Sequence, residues 1–380
     1  MIKKIFSWLV FLPFLFPIIY KIKIPLKNLG NLNFLDLVLL LIVFLGLILI
    51  FQKNLTLDFK NYLSETKFFK KLVLFLAFIL FVSFFNFKNL SLRDWGILKS
   101  YFILPILTSI IIFYFIKKGW FKIQVFFYCY LVYASFLAFL VIVWKFLNLT
   151  TFDNRVGLFF DSPNQLAISL SLAIISIFTL NFKKHKKIYL LLIVLIFALF
   201  LTKSSGALFG ILSISLLKNF FHFKENIFKG ILVFSCFWLL CLFLINPSLK
   251  NLFYDYNPFE NKNSFDSRVV ISLVSTKIIS ENFWLGIGPA NFQPTYLKKQ
   301  VFFPPYPQWA VPHTHNLFSQ IWISFGFWSL LLFLFLLNKK SHLKSDLYYL
   351  FLIYFLIHGL VDVPIWNNDQ ALFFWFIILF

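Results

Sequence analysis

An all-α polytopic membrane protein, with about twelve transmembrane helices and one large extracytoplasmic loop carrying short helices, is what this 380-residue sequence predicts. Two observations carry that expectation. The chain is 61% hydrophobic, 22% aromatic and only 13% charged, where a soluble domain is roughly 45–50% apolar and about 25% charged. Apolar runs of the length that crosses a bilayer as a helix, about 20 residues, also recur along nearly the whole chain.

Taken in order, the runs fall at 5–20, 34–51, 72–87, 97–116, 125–147, 164–182, 188–201, 205–217, 228–245, 316–337, 347–361 and 371–380. The first follows Met1-Ile2-Lys3-Lys4 and lacks a small-residue cleavage site, so it is expected to remain as a span. The pair 188–201 and 205–217 is parted by Thr202-Lys203-Ser204-Ser205-Gly206, read as a polar turn between two helices. One long broken helix is the alternative, and it would invert everything after it. Charge arbitrates. With the N-terminus inside, the lysines of 3–4, 53–71, 117–122, 183–187, 218–229 and 339–344 share its side, as the positive-inside rule requires. Both termini are then cytoplasmic, and the loop at 21–27, with Lys21, Lys23 and Lys27, is the misfit.

This orientation leaves 246–315 on the outer face, a loop rich in proline (Pro247, Pro258, Pro294, Pro304, Pro305, Pro307 and Pro312). Within it, Val269, Val270, Leu273, Val274, Thr276 and Ile278 predict an amphipathic interfacial helix over 266–283. The chain divides into N-terminal transmembrane helices, 1–147, and a C-terminal region, 148–380, that holds the loop and the candidate chemistry. The formal charge of +21 does not mark a nucleic-acid partner. The basic residues sit in short inter-span loops rather than on the face of a soluble domain. Cys129, Cys236 and Cys241 all lie in apolar runs and read as small hydrophobes rather than disulfide or metal partners.

Polar groups in an apolar background are expensive, so they mark candidate chemistry. Ser162-Pro163 reads as a helix N-cap with proline in the first turn. Arg155 and Lys203 read either as snorkelling cations or as phosphate ligands, and Arg268 either as a salt-bridge partner or as a phosphate clamp. His313 and His315 form an H-x-H pair. With no Cys or carboxylate beside them in sequence they make a poor metal site, so no metal and no cofactor is expected. An imidazole at a helix entrance suits a general base, because its ordinary pKa lies near working pH. His358 and Asp362, four apart, are expected on one helical face, the carboxylate orienting or satisfying the imidazole. Gly286-Ile287-Gly288 lacks the strand–turn–helix setting of a dinucleotide fingerprint and reads as a tight turn.

In this combination the chain resembles the O-antigen ligase and polymerase family of bacterial lipid-linked glycan transferases. The resemblance rests on Arg155-Val-Gly with Pro163-Asn164-Gln165-Leu166-Ala167, Thr202-Lys-Ser-Ser-Gly-Ala, Ser267-Arg268, and Gly286-Ile-Gly-Pro-Ala-Asn-Phe292. His315-Asn316 followed after nine residues by Gly326, and His358-Gly-Leu-Val-Asp362, complete it. It covers roughly 150–370. The family hinge usually reads Ser-Arg-Gly where this chain has Ser204-Ser205-Gly206, which leaves Lys203 as the nearby cation. Ser329 stands where ligases carry Gly, Thr or Tyr.

What the resemblance implies is transfer of a whole glycan from undecaprenyl pyrophosphate to an acceptor hydroxyl at the outer (periplasmic) face of the bacterial inner membrane. The acceptor is the lipid A core for a ligase, another repeat for a polymerase, and a protein Ser or Thr for an O-oligosaccharyltransferase; ligase is the favoured reading. His315 is then the base and Arg268 the catalytic cation, with Arg155, Lys203, Asn164, His313 and Asn316 binding pyrophosphate or glycan and His358 and Asp362 supporting them. No glycosidase-like carboxylate pair is evident. A single displacement predicts inversion at the anomeric carbon without a metal. Two other classes compete. A flippase or transporter would place ionisable groups at mid-membrane, and an assembly scaffold would tolerate changes at His315.

Overall fold

The charge-poor apolar runs fold as helices, because a chain in hydrocarbon must satisfy its own backbone polar groups. The computed structural model describes residues 2–15, 23–26, 30–53, 55–65, 67–85, 92–151, 154–160, 162–179, 186–220, 264–304, 310–337 and 346–379. The expected span 228–245 with Cys236 and Cys241, the first part of the outer loop, Pro305, Pro307 and Asp161 lie outside the described residues. The helices are α1 (Ile2–Leu15), α2 (Phe34–Gln52), α3 (Thr56–Glu65), α4 (Lys67–Phe85), α5 (Leu92–Lys117), α6 (Ile123–Phe146) and α7 (Pro163–Thr179). They continue with α8 (Lys186–Leu201), α9 (Ser205–Phe220), α10 (Ser264–Glu281), α11 (Phe292–Lys299), α12 (Leu317–Leu337), α13 (Asp346–His358) and α14 (Asn368–Leu379). The described residues also hold a short antiparallel hairpin, β1 (Lys23–Leu26) with β2 (Gly30–Asn33), which the all-α reading did not include.

Five helices (α2, most of α4, α5, α6 and α12) are long and apolar enough to cross a membrane, and five shorter apolar helices accompany them. Phe44, Phe84, Val132, Phe139, Leu190 and Ile193 are exposed on these helices. Outward-facing apolar surface of this extent is what hydrocarbon covers. The N-terminal and C-terminal regions share one apolar core: α14 packs on α5, α12 on α4, and α7 and α8 on α6.

A π-helical turn, Leu98–Ile103, interrupts α5 just before Pro105. Proline has no N–H to give the carbonyl four residues back, and its ring crowds that carbonyl. The freed oxygen is Tyr101 O, and Trp375 Nε1 donates to it at 2.9 Å. A helix forms over the expected stretch as α10. Ile271, Val274 and Ile278 line its buried stripe against Phe292, Tyr296, Val311 and Ile323 in a second, smaller core.

The apolar run expected to be one span over 316–337 is broken. Gly326 has φ 82 and ψ 174 inside α12. A turn segment after α10 docks at the break: Ile287 N donates to Ile323 O at 2.8 Å, Gly288 N to Ser324 O at 3.1 Å, and Phe327 N to Phe283 O at 3.0 Å. A Cβ on Gly326 would collide with the Trp284 and Leu285 backbone. Gly286, read from sequence as a tight-turn residue, matters for the same close approach, since a Cβ there would sit 2.5 Å from Ile323 O.

Candidate active site

Seven chain segments meet at one end of the bundle. Arg155, just beyond α6, donates from Nε to Thr202 O at 2.8 Å and from Nη2 to Asn164 Oδ1 at 2.5 Å. The start of α7 and the end of α8 are therefore at the same level. Gly206 lies against His358 and Val361, and Gly210 against Tyr354, so α9 runs antiparallel to α13. The chain thus reverses at 202–204, which supports the turn over the single broken helix. Leu317 N donates to Gly359 O at 2.7 Å, bringing the start of α12 to this end. Arg268 Nε donates to Val361 O at 3.0 Å and brings the start of α10 with it.

The local sequence explains each placement. Ser162 Oγ accepts from Gln165 N at 3.3 Å, the cap expected ahead of Pro163. Asn316 Oδ1 accepts from Ser319 N at 2.9 Å and caps α12, while its Nδ2 donates to Leu360 O at 3.2 Å. Thr314 N donates to Gln320 Oε1 at 2.9 Å, and Thr314 Oγ1 to Asn316 O at 2.7 Å. These bonds hold His315 at φ 51, a left-handed conformation that costs a non-glycine residue about 1–3 kcal/mol.

His315 Nδ1 faces Asp362 Oδ1 at 3.5 Å. Its ring meets that of His313 at 4.3 Å, and its backbone N–H donates to His313 Nδ1 at 3.4 Å. Val363 N fixes the same carboxylate oxygen at 2.8 Å. Burial raises the Asp362 carboxyl, but the hydrogen bond from His315 and the neighbouring His313, His315 and His358 imidazoles outweigh it, so its pKa is lowered. Burial, with His315 beside it, pushes His313 down to about 4 against the pull of Asp362. Burial also lowers Arg268, Asp362 raises it, and Arg155 lowers it again, so the two guanidiniums feel each other.

Arg268 and His315 line one polar cavity of about 80 Å³ together with Ser272, Ser275, Thr314, Asn316, Ser319 and Leu360. Ser275 Oγ is buried with no hydrogen-bond partner among the described residues. A guanidinium, an imidazole backed by a carboxylate and several hydroxyls can together bind an anion and accept a proton. The sequence reading missed Ser272 and Ser275, although their spacings of four and seven from Arg268 put them on its helical face. Ser319, one turn into α12 from His315, carried the same signal.

One expectation needs correction. Asp362 does not share a helical face with His358, because α13 ends at His358 and the carboxylate turns to His315 instead. Asn164 accepts from Arg155, while Asn316 caps α12 and also lines the cavity. Asp362, distant in sequence from the H-x-H pair, lies beside it in space, with one possible ligand atom from each of His313, His315 and Asp362 within 4.8 Å of the others. Lys203 is exposed in the turn at φ 49.

Residues 190–334 match the family model described as O-Antigen ligase. The resemblance to the O-antigen ligase family is thereby shown over a stretch that holds Lys203, Arg268, His313, His315, Asn316 and Gly326. Arg155, Asn164, His358 and Asp362 lie outside the match. No curated protein matches the chain.

Proposed function

We propose that this membrane protein, O-antigen ligase-like over residues 190–334, transfers a glycan from undecaprenyl pyrophosphate to an acceptor hydroxyl, with the lipid A core as the favoured acceptor. The supporting observation is that Arg268 and His315 line one cavity with the Asp362 carboxylate behind the imidazole. In this reading His315 keeps its Nδ1 proton toward Asp362 and presents the Nε2 lone pair to the acceptor O–H. The acceptor oxygen attacks the anomeric carbon as the bond to the pyrophosphate oxygen breaks. The leaving group's charge is held by Arg268, with Arg155 behind it, and the proton ends on His315. One displacement inverts the anomeric centre and needs no metal.

A polymerase or a protein O-oligosaccharyltransferase would use the same groups on a different acceptor. A flippase is disfavoured by where the cations sit: Arg155, Lys203 and Arg268 gather at one end of the bundle rather than along its length. The site then belongs at the periplasmic face of the bacterial inner membrane.

The test is reconstitution with an undecaprenyl-pyrophosphate glycan and candidate acceptors. His315→Ala is expected to lower transfer by about 10²–10⁴, and Arg268→Ala by about 10²–10³. Transfer that survives His315→Ala in protein correctly inserted in the membrane sinks the base assignment. Long free glycan with no lipid A attachment in a deletion strain marks a ligase; short unpolymerised glycan marks a polymerase.

A further inference from the structure

We propose that His313, His315 and Asp362 also form a binding site for a divalent transition-metal ion of the zinc class, and that its occupancy inhibits transfer. One ligand atom from each residue lies within 4.8 Å of the other two. His315 Nδ1 and Asp362 Oδ1 are 3.5 Å apart, close to the roughly 3.4 Å between two ligands of a tetrahedral ion with bonds of about 2.0–2.1 Å. The His313 ring already meets that of His315 at 4.3 Å, which sets the third donor beside the other two. The Val363 N–H, donating to Asp362 Oδ1 at 2.8 Å, supplies the outer contact that orients a metal-binding carboxylate. The adjoining cavity of about 80 Å³ leaves room for water at a fourth position.

Two imidazoles and one carboxylate favour Zn²⁺ or Co²⁺ over Mg²⁺ and Ca²⁺, which take oxygen ligands. The Arg268 charge, felt at His313, keeps the site weaker than a structural zinc centre and its occupancy reversible. The route to inhibition is protonic. A neutral imidazole carries one ring proton, and a metal on His315 Nδ1 forces that proton onto Nε2. The lone pair needed by the acceptor hydroxyl is then gone. Inhibition therefore rests on the base role proposed above for His315, whereas binding does not.

The experiment titrates full-length, tag-free, chelator-washed protein in detergent with Co²⁺, following visible d–d absorption, with Zn²⁺ competing in calorimetry. One equivalent of Co²⁺ should bind in a tetrahedral field. His313→Ala and the gentler His313→Gln should each weaken it by more than about 100-fold, beyond what loss of an outer-shell partner does. At saturation Zn²⁺ should slow transfer by about 100-fold or more, the worth of a general base, and EDTA should restore it. Absence of a stoichiometric Co²⁺ band, or a band unchanged in both His313 variants, overturns the metal site and leaves the glycan-transfer reading intact. A bound ion that leaves transfer undiminished overturns the inhibition and removes His315 as the base.

Discussion

Two buried polar clusters in this molecule are built to opposite rules. In the N-terminal half, Asp36 accepts from Ser100 Oγ at 2.8 Å and from Asn368 Nδ2 at 3.1 Å, and it pairs with Lys99 at 2.8 Å. Both carboxylate oxygens are taken, and the network ties α2, α5 and α14 together. At the candidate site the pairing is incomplete. Ser275 Oγ and His358 Nε2 are buried without a hydrogen-bond partner among the described residues, and His315 meets Asp362 at the long distance of 3.5 Å. A saturated network specifies packing, whereas a buried group left short of partners is held in readiness for something else. Unpartnered buried oxygens also occur elsewhere among the described residues, at Ser109, Ser171 and Gln370, so what sets the candidate site apart is that its unpartnered groups stand beside a guanidinium and an imidazole.

The sharpest way to break that comparison is to make the same change in each cluster. Asp362→Asn is expected to lower transfer by about 10²-fold or more, since a base that loses its orienting carboxylate can lose up to about 10⁴, with a small change in thermal stability. Asp36→Asn should do the reverse. It should destabilise by about 1–3 kcal/mol, the worth of charged hydrogen bonds, while the folded fraction keeps its turnover. Thermal inactivation in detergent and turnover per folded molecule, measured on both variants, decide it; equal effects on both quantities erase the distinction.

Acid titration sharpens it further. His313 is depressed to about 4, so as pH falls the unfolded chain takes up its proton first. Its contribution is therefore full above the ordinary value of about 6.5 and is lost as pH falls from there toward 4. Thermal inactivation should shift to lower temperature across that window, and His313→Gln should flatten the slope. A wild-type profile that is flat from pH 7 to 4.5 contradicts the depression of this half-buried imidazole. The smallest effect is expected at the turn. Lys203 is exposed there, and Lys203→Ala should reduce transfer less than about tenfold, in line with a screened surface charge; a loss as large as that of Arg268→Ala would place Lys203 among the pyrophosphate ligands.

Much of this was legible in the chain. Among the described residues, apolar runs located the apolar helices within a few residues, because charge-free sequence has few alternatives in hydrocarbon, whereas the more polar α3 and α11 matched no run. Arg155, Arg268 and His315 stood out because ionisable groups are rare against such a background, and the structure draws them to one end. Asp362 was assigned to the wrong partner, since spacing alone cannot show that α13 stops at His358. The break in α12 was hidden because apolarity runs straight through Gly326, and its cause, the docked 283–288 segment, lies far away in sequence. The Asp36–Lys99–Asn368 network was invisible for the same reason.

The discontinuity at Gly326 divides α12 into two parts that share one clamp. Residues 317–325 carry the His315 turn at their head and bond to the 283–288 segment through Ile323 and Ser324, Phe327 bonds to the same segment from the other side, and Phe333 packs on Phe75 of α4. When a bilayer thickens or thins, a spanning helix answers by tilting. In this chain the 283–288 segment holds both sides of the glycine at one angle, so a tilt of α12 would carry the His315 turn and that segment together rather than part them.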